Sequence, residues 1–522
     1  MQTRGLHFTT ARPVSVSAPG RMDIALFVGF VSRRDNPVPD HISNWLSSQN
    51  YSNDDDLLDV PVPIEEWDEF DYLFSWDERT ATFDDQLETS ITMDTYLGSC
   101  VYSFFRQGGR KCYVVRVEDH FEYQLNRAER LQKLERLIPG YNLTKQSSSS
   151  DRSSWFGAGH LYGLPDVSIL SLPDLPELIS AEYQPPSITP PEGPVVEEKF
   201  VECSEPVFID VDDLSQYLRV PRSDDEAYLE WAGVVRLCMR LLTDPASGRM
   251  TQLVAAIPVP FEGDDADKDL INYFQQRKWL MGNHDNNPDS IASAFVQLVY
   301  PWLSITNRNL PEDAENPEGG FAGLLARNAL TRGSFHSLND LPVLGVDDLF
   351  LPLSQQQIVK EYDETSEYLM STYRLMDRVS LFDYTKQGIR LISDVTNSSD
   401  LSYRPANIAR IVSLIVRESR RLGQELIFES SGEHLWGQLR SRMEEFLYGL
   451  YLVGGLRGKT AEQAYQVKCD RTTMTQNDID NGRMIAAVMF VPAASIESMV
   501  ITLALDGNGQ VSLQAINRQE AA

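Results

Sequence analysis

The chain has 522 residues, and 46 Lys and Arg against 76 Asp and Glu give it a net charge of −30 at neutral pH. A chain of this length holds about two to four domains, and 42% apolar residues are typical of globular cores rather than of disorder. The acidic balance argues against nucleic-acid binding and against a basic membrane-surface role, since both need a positive face.

The cysteines favour a reducing compartment. They are odd in number and form no CxxC pair, which argues against a disulfide framework and against a zinc site. The first residues contain no long apolar run, and no stretch approaches the roughly 18 apolar residues that span a bilayer. We therefore expect a soluble intracellular protein without a secretory signal or direct membrane insertion. The five cysteines are Cys100, Cys112, Cys203, Cys238 and Cys469.

The first part of the chain predicts an extended arm followed by an α/β unit. Residues 1–22 are polar and irregular, which is typical of an arm. The apolar run Ile24–Val31 predicts a buried strand. Thr92 is a candidate N-cap for a helix that ends at a Gly-Gly pair, and Lys111–Val117 predicts the strand that follows it.

Further along, helices and strands alternate in the same way. A strand is predicted over Leu164–Leu172, a helix near Tyr228–Leu242 and a strand near Leu253–Val259. Residues 291–303 form an apolar block, and in Asn316–Arg327 paired glycines predict a turn into a tightly packed helix. This alternation indicates an α/β (mixed α+β) fold with layered mixed sheets.

Two segments carry most of the negative charge. Residues 53–90 hold 14 acidic residues against 1 Arg, and residues 181–290 hold 21 acidic residues against 9 basic ones. Aromatic residues are interleaved with the acids of the first segment, so we expect it to pack and to present a solvated acidic face. The second segment opens with a Pro-rich run and predicts insertion loops around a few helices and strands.

The charge balance changes near residue 346, and this shift is the predicted principal domain boundary. The first 345 residues carry 28 basic and 53 acidic residues, whereas the last 177 carry 18 and 23. We therefore divide the chain into an arm (1–22), an outer region with the acidic insertions (23–345), a C-terminal domain (346–496) and a C-terminal strand or arm (497–522).

The C-terminal domain predicts two helices followed by antiparallel strands. The first helix covers 406–422, and a capping box at Ser430 and Glu433 opens the second, which a Gly-Gly pair ends. The predicted strands are Tyr465–Cys469, Met484–Val491, Ser498–Leu505 and Val511–Ile516, with a hairpin turn at Asp506–Gly509.

No motif in the sequence supports catalysis or cofactor binding. The run 453–460 (VGGLRGKT) ends like a phosphate-binding P-loop, but Val453 stands where the loop needs Gly, and a long amphipathic helix precedes it. Asp265, Asp267 and Asp269 alternate as a calcium loop begins, yet the Gly and the closing Glu of such a loop are missing. The histidines are dispersed, so we expect no enzyme, no cofactor and no metal site.

Residues 404–421 (RPANIARIVSLIVRESRR) form a concentrated basic patch in this acidic chain. The patch holds five arginines against Glu418 alone. Two interpretations stay open: the arginines neutralise acids within the chain, or they dock onto an acidic partner surface. The five are Arg404, Arg410, Arg417, Arg420 and Arg421.

Several runs of sequence occur in a fixed order. In the C-terminal third they are RPANIARIVSLIVRESRRLGQELIFES, HLWGQLRSRMEEFLYGLYLVGGLRGKTAEQAYQVKCD and TMTQNDIDNGRMIAAVMFVPAASIESMVITL. Upstream they are TYLGSCVYSFFRQGGRKCYVVRV, LYGLPDVSILSLPD, YPWL and GGFAGLLARNALTRGSFHS. In order and spacing, the chain resembles the contractile tail sheath proteins of bacteriophages and of phage-tail-like contractile injection systems, over roughly 24–118, 155–175 and 291–505.

The resemblance implies a multi-domain sheath fold with extended N- and C-terminal arms and inserted outer loops. Sheath subunits form six-fold rings that stack helically around an inner tube, and the sheath contracts to drive the tube through a target envelope. The implied partners are further copies of the chain, the inner tube protein, and baseplate and cap or terminator proteins. Assembly is implied in the bacterial cytoplasm, within a particle that is membrane-anchored or released.

The resemblance also implies which segments carry assembly. Residues 1–22 and 497–517 are the candidate arms for strand exchange between subunits. The candidate tube-facing residues are the arginines of 404–421, or the end of helix 433–459 with Arg457 and Lys459. Alternatives are a non-sheath structural component of a phage-like particle, such as a baseplate, cap or shell protein, and an acidic α/β enzyme.

Overall fold

The structure is a computed structural model. It describes residues 21–51, 56–84, 89–123, 125–182, 218–244, 250–260, 290–306, 308–366, 369–426, 432–481, 483–493, 498–505 and 511–519. Several sequence predictions lie outside the described residues: most of the arm 1–22, most of the acidic segment 181–290 with Asp265, Asp267 and Asp269, the capping residue Ser430, and the turn Asp506–Gly509.

The helices and strands are numbered in chain order. Strands β1 to β12 are Ala25–Phe30, Ser32–Arg33, Pro61–Ile64, Phe74–Ser75, Arg79–Asp84, Thr89–Met93, Cys112–Glu118, Ile169–Ser171, Arg222–Ser223, Gln252–Ala256, Val259–Pro260 and Val296–Tyr300. Strands β13 to β23 are Trp302–Ser304, Ala314–Glu315, Asp348–Phe350, Glu361–Ser366, Leu369–Arg374, Ser380–Thr385, Gly388–Leu391, Tyr465–Lys468, Met484–Phe490, Ser498–Leu505 and Val511–Gln519. Helices α1 to α12 are Asp40–Ser48, Trp67–Leu73, Tyr96–Arg106, Arg127–Leu137, Leu175–Ile179, Asp225–Thr243, Pro317–Thr331, Gln355–Val359, Ala406–Leu426, Glu433–Leu452, Ala461–Ala464 and Gln476–Asp480. Short 3-10 helices cover Arg152–Ser154, Gly157–Gly163, Pro311–Asp313 and Leu375–Asp377.

An eight-stranded sheet lies at the centre of the larger part of the chain, in the order β3-β7-β1-β8-β10-β12-β18-β19. The inner strands are parallel, and the edge strands β3 and β19 run antiparallel to their neighbours. Parallel neighbours need crossover connections, so helices are expected on the faces of the sheet. The predicted α/β fold with layered mixed sheets is confirmed.

Both faces of this sheet are covered. Every residue of β1 is buried, as expected for a strand with helices on both sides. One face packs on α4, α5 and α6 through residues such as Leu134, Leu178 and Trp231. The other face packs on α3 and α7 through residues such as Phe104 and Phe321. Burial of these apolar surfaces is the main stabilisation of this part of the chain.

Helix α7 lies directly against α3 because glycines remove side chains from the contact. A Cβ at Gly319 would lie 2.2 Å from the carbonyl oxygen of Cys100, and one at Gly323 would lie 2.6 Å from that of Phe104. The predicted tight packing is therefore confirmed, although the paired glycines lie inside the helix and not in a turn before it.

The C-terminal part forms a separate layer. A four-stranded antiparallel sheet in the order β20-β21-β22-β23 packs with α9 and α10 around a third apolar core. The predicted helices and strands are present with small shifts at their ends, and Gly432 stands at the N-cap of α10. In the part of the chain that the structure describes, no helix is long and apolar enough to cross a membrane.

Two local predictions differ from the structure. Thr92 is not an N-cap, because it pairs with Thr80 in the β5–β6 hairpin; the cap of α3 is Thr95, whose side chain accepts from the backbone of Gly98. The strand predicted over Leu164–Leu172 is shortened to β8, because a 3-10 helix and a turn occupy the residues before it.

The charge shift at residue 346 does not coincide with a change of core. Strands β18 and β19 belong to the eight-stranded sheet, and the third core is formed mainly by α9 and the residues after it, with Met250 and Phe335 from earlier in the chain. Charged residues lie mainly on the surface, so the change in charge along the sequence marks where the acidic insertions are and not where one packed core gives way to another.

Candidate assembly surfaces

Arg410 of α9 lies inside the chain and is 2% exposed. Its guanidinium forms a two-pronged ion pair with Asp394: Nη1 donates to Oδ1 at 3.0 Å and Nη2 donates to Oδ2 at 2.5 Å. Nε donates to the carbonyl of Ser334 at 2.7 Å, and Nη2 donates to the carbonyl of His336 at 3.1 Å. A buried charge is tolerated when it is paired and hydrogen-bonded, and Arg410 is both.

Arg417 is buried two helical turns further along α9, with 1% exposure. It donates from Nη1 to the carbonyl of Pro165 at 3.3 Å, and from Nη2 to the carbonyl of Val167 and to Oγ1 of Thr251. These acceptors lie just before β8 and β10, so Arg417 joins α9 to the amino ends of the parallel strands.

Arg404 stands before α9, is 8% exposed, and donates from Nε to the carbonyl of Ser398 at 3.2 Å. We call Arg404, Arg410 and Arg417 the arginine clamp. A tube-facing role needs an exposed side chain, so the structure corrects the candidate set at these three positions. Of the two interpretations of the basic patch, these three arginines fit the one in which the arginines bind groups within the chain. Most of their acceptors are backbone carbonyls.

The remaining two arginines of the patch lie nearer the surface. Arg420 is half-buried. Arg421 donates from Nε to both carboxylate oxygens of Glu418 at 3.0 Å, a hydrogen bond that raises the pKa of the arginine. Arg421 also pairs with Glu425, which pairs with Arg442 of α10 at 2.7 Å. This network joins α9 to α10 on the outside of the third core.

Arg457 and Lys459 are both exposed, just beyond the C-terminal end of α10. Gly454 has φ +81°, a conformation that favours glycine, and it ends the helix. The backbone N–H of Arg457 donates to the carbonyl of Val491 at 2.9 Å, so the turn is fixed to the residue after β21. The structure therefore places these two sequence-predicted residues together on a surface.

Apolar side chains lie on the same end of α10. Tyr448, Leu452 and Val453 are 46%, 65% and 58% exposed. We call these three residues with Arg457 and Lys459 the α10-end surface. Large exposed apolar side chains grouped beside cations are typical of a contact surface.

The two sheets differ in how their edges are closed. Two of the four residues of β3 are prolines, which have no N–H to offer, and the segment 340–343 bonds to the outer side of β19. In the four-stranded sheet, none of the described residues pairs with the outer edge of β20 or of β23. An open edge is a template for a strand from another chain.

The predicted C-terminal arm, 497–517, falls largely on β22 and β23. Strand β22 pairs with β21 on one side and with β23 on the other, and all three run antiparallel. In this structure the segment therefore forms the last hairpin of its own sheet.

Two kinds of chemical site considered in the sequence, a phosphate-binding loop and a metal site, can be compared with the structure. The run 453–460 follows helix α10 and not a strand, so the arrangement that a P-loop needs is not formed. Among the described residues, no group of three or more His, Cys, Asp or Glu side chains could hold a metal ion.

Sequence reasoning missed the clamp, although a signal for it was present. Arg410, Ser413 and Arg417 share one stripe of α9 through their spacing of three and four residues. Ser413 is buried on that stripe as well and donates to the carbonyl of Met250 at 3.1 Å. A polar stripe beside an apolar one indicates a helix that is buried on two sides.

Neither a protein-family model nor a curated protein matches the chain. Solved structures do. A chain of the anti-feeding prophage baseplate in the contracted state has a TM-score of 0.54 and 18% identity, over 95% of this chain and 96% of that one. A chain of the PVC sheath complex, from an extracellular contractile injection system in the contracted state, has a TM-score of 0.50 and 16% identity, over 95% of each chain.

A chain of the contracted helical sheath of the anti-feeding prophage has a TM-score of 0.50 and 15% identity, over 95% of this chain and 97% of that one. These likenesses extend over 95% of the chain, so they cover both the eight-stranded sheet and the C-terminal layer. The chain therefore has the fold of the proteins in these contractile sheath assemblies.

Proposed function

We propose that the chain is a structural subunit of a contractile sheath. It polymerises as six-fold helical rings around an inner tube and contracts to drive the tube through a target envelope. The observation that supports this proposal most strongly is the likeness, over 95% of the chain, to chains of contracted sheath assemblies.

The open edges of the C-terminal sheet supply a way to polymerise. Strand addition uses backbone hydrogen bonds, so it joins identical subunits without a special side-chain code. A contact between two different surfaces of one chain builds a helix when the rotation does not close. We assign the added strands to the arms at 1–22 and 497–522, and the accepting edge to β20, since β23 is itself part of the second arm.

The α10-end surface is the proposed contact with the inner tube protein. Arg457 and Lys459 carry the charge, and the exposed apolar side chains beside them exclude water. Charged contacts at an exposed surface are screened within about 8–10 Å at physiological salt. Contacts of this strength hold the extended sheath in register and slip when it contracts.

The test of polymerisation is a deletion. A chain without residues 2–20 should fold and stay a single subunit, because the neighbour's sheet receives no arm. Sedimentation separates polymer from subunit, and circular dichroism checks the fold, with the full chain as control. Sedimenting tubes formed by the truncated chain would reject strand exchange.

A second candidate function is a baseplate component, because one of the similar chains comes from a baseplate. Such a protein, or a cap or shell protein, forms closed rings and not long tubes. In either case the partners are further copies of the chain and the other proteins of a phage-tail-like particle. The particle assembles in the bacterial cytoplasm and is then anchored or released.

A further inference from the structure

The parallel sheet has a position where sheets of this kind bind ligands. Strand β1 is parallel to its neighbour β8, and the connections that follow these two strands leave in opposite directions along the sheet, from β1 towards β7 and from β8 towards β10. In open α/β sheets, the crevice outside the carboxyl ends of the strands at such a switch point holds the ligand. Backbone N–H groups and helix N-termini there bind anionic groups.

In this chain, Asp174 occupies the crevice beside β1. It follows β8, and the residue is 3% exposed. Its Oδ2 accepts from the backbone N–H of Phe30, the last residue of β1, at 2.7 Å. Its Oδ1 accepts from the N–H of Leu97, in the first turn of α3, at 3.1 Å. The carboxylate thus bridges a strand end and a helix N-terminus.

Glu318 occupies the adjoining position. It lies in the first turn of α7, and the residue is 1% exposed. It accepts from Oγ of Ser171 at 2.5 Å and from the N–H of Leu172 at 3.0 Å, both at the carboxyl end of β8. It also accepts from the N–H of Ala256, the last residue of β10, at 2.8 Å.

The backbone is shaped to let a carboxylate approach. A Cβ at Gly29 would lie 2.2 Å from Oδ2 of Asp174, so any side chain there would expel the acid. The nearby cation is also engaged, since Arg79 pairs with Glu177 through two hydrogen bonds, one of them 2.9 Å long. The donors of the crevice are therefore matched by acids of the chain itself.

We propose that Asp174 and Glu318 are built-in occupants of the ligand crevice, each supplying the oxyanion that a bound ligand supplies in other sheets of this kind. The crevice is closed by the chain, and the sheet acts as a rigid structural element. Removal of either carboxylate opens a site for a small carboxylate of the size of formate.

The experiment is chemical rescue of the full chain carrying Asp174→Ala, at pH 8. Burial raises the pKa of Asp174 and of Glu318 to about 7, so both acids of the wild type are mostly ionised at that pH. The variant leaves two buried N–H groups without an acceptor, and its unfolding temperature should fall by about 5 °C. Rising sodium formate should recover roughly half of that loss or more, in a saturating manner.

Sodium chloride at equal ionic strength and the variant Val115→Ala serve as controls. Val115 is fully buried in β7, and its truncation leaves a cavity without an orphaned donor. Formate should not restore Val115→Ala, and chloride should restore neither variant. Glu318→Ala repeats the test at the second position if Asp174→Ala does not fold. Equal responses to formate and chloride at both positions would overturn the proposal.

Discussion

Arg417 donates to the carbonyl of Val167, a residue 250 positions earlier, and so joins helix α9 to the amino end of strand β8. Arg410 makes a similar link through Asp394 and two backbone carbonyls. The C-terminal layer and the eight-stranded sheet are thus held by buried charged groups with fixed geometry. The proposed function, in which a subunit changes its neighbours during contraction, requires an internal connection of this kind.

Loss of the clamp should destabilise the subunit strongly. Arg410→Ala leaves Asp394, whose side chain is 0% exposed, as an unpaired buried charge, and we expect a loss of about 3–5 kcal/mol. Arg442→Ala removes one exposed partner of Glu425 and should cost under about 1 kcal/mol. Urea denaturation of the two variants measures the difference. Equal losses in the free energy of unfolding would show that the clamp contributes no more to stability than a surface ion pair.

Stability should fall as the pH rises towards neutrality. Burial raises the pKa of Asp174, Glu315 and Glu318 to about 7, and that of Asp94 to about 6. The folded chain therefore keeps protons that the unfolded chain releases near pH 4. The contribution of these bound protons to the free energy of unfolding is fully present below pH 4, is lost as the pH rises through 6 to 7, and is absent above that range.

Each pKa unit corresponds to about 1.4 kcal/mol, so one such group changes stability by up to about 4 kcal/mol. Unfolding midpoints at pH 5, 6, 7 and 8 measure this slope. Glu318→Gln cannot ionise and should flatten the profile. A stability that increases with pH over this window would contradict the raised pKa values of these groups.

The contact between α3 and α7 should not accept a side chain. Gly319→Ala places a methyl group 2.2 Å from the carbonyl oxygen of Cys100, and we expect it to cost roughly 1–3 kcal/mol or more. Gly437→Ala, in α10, is the matched control because a Cβ there meets nothing within 4 Å. That substitution should be neutral or stabilise by about 0.5–1 kcal/mol. Thermal unfolding distinguishes the two, and similar effects would refute the tight contact.

Charge reversal on the α10-end surface should separate tube binding from self-assembly. The double variant Arg457→Glu, Lys459→Glu should no longer be recruited to inner tubes, while strand addition between subunits continues. Arg471→Glu is the control, since Arg471 pairs with Glu433 at the other end of a 20-residue helix about 30 Å long. Co-sedimentation with tubes reports recruitment. Unchanged recruitment of the double variant would remove the tube-facing assignment.

Local sequence patterns predicted much of the fold, because apolar periodicity reports which face of an element is buried. Strand β22 and the apolar face of α9 were predicted in this way. The burial of Arg417 was not, because its acceptors lie 250 residues away and no local pattern contains them. Thr92 was misassigned for a related reason: its pairing with Thr80 overrides a cap signal.

The candidate site was predicted only in part. The exposure of Arg457 and Lys459 fits the position of their turn after a long helix, whereas the charge of 404–421 gave no information on burial. Arginine extends far enough to reach backbone carbonyls in another layer, so a run of arginines predicts an ion-pairing surface only when its helix has one free side.

Electron microscopy of the purified full chain tests the central claim most directly. A sheath subunit should form hollow helical tubes, with end views of six-fold, cogwheel-like rings. Images that show only closed rings or single particles, under conditions where the chain is folded and its arms are intact, would contradict the account.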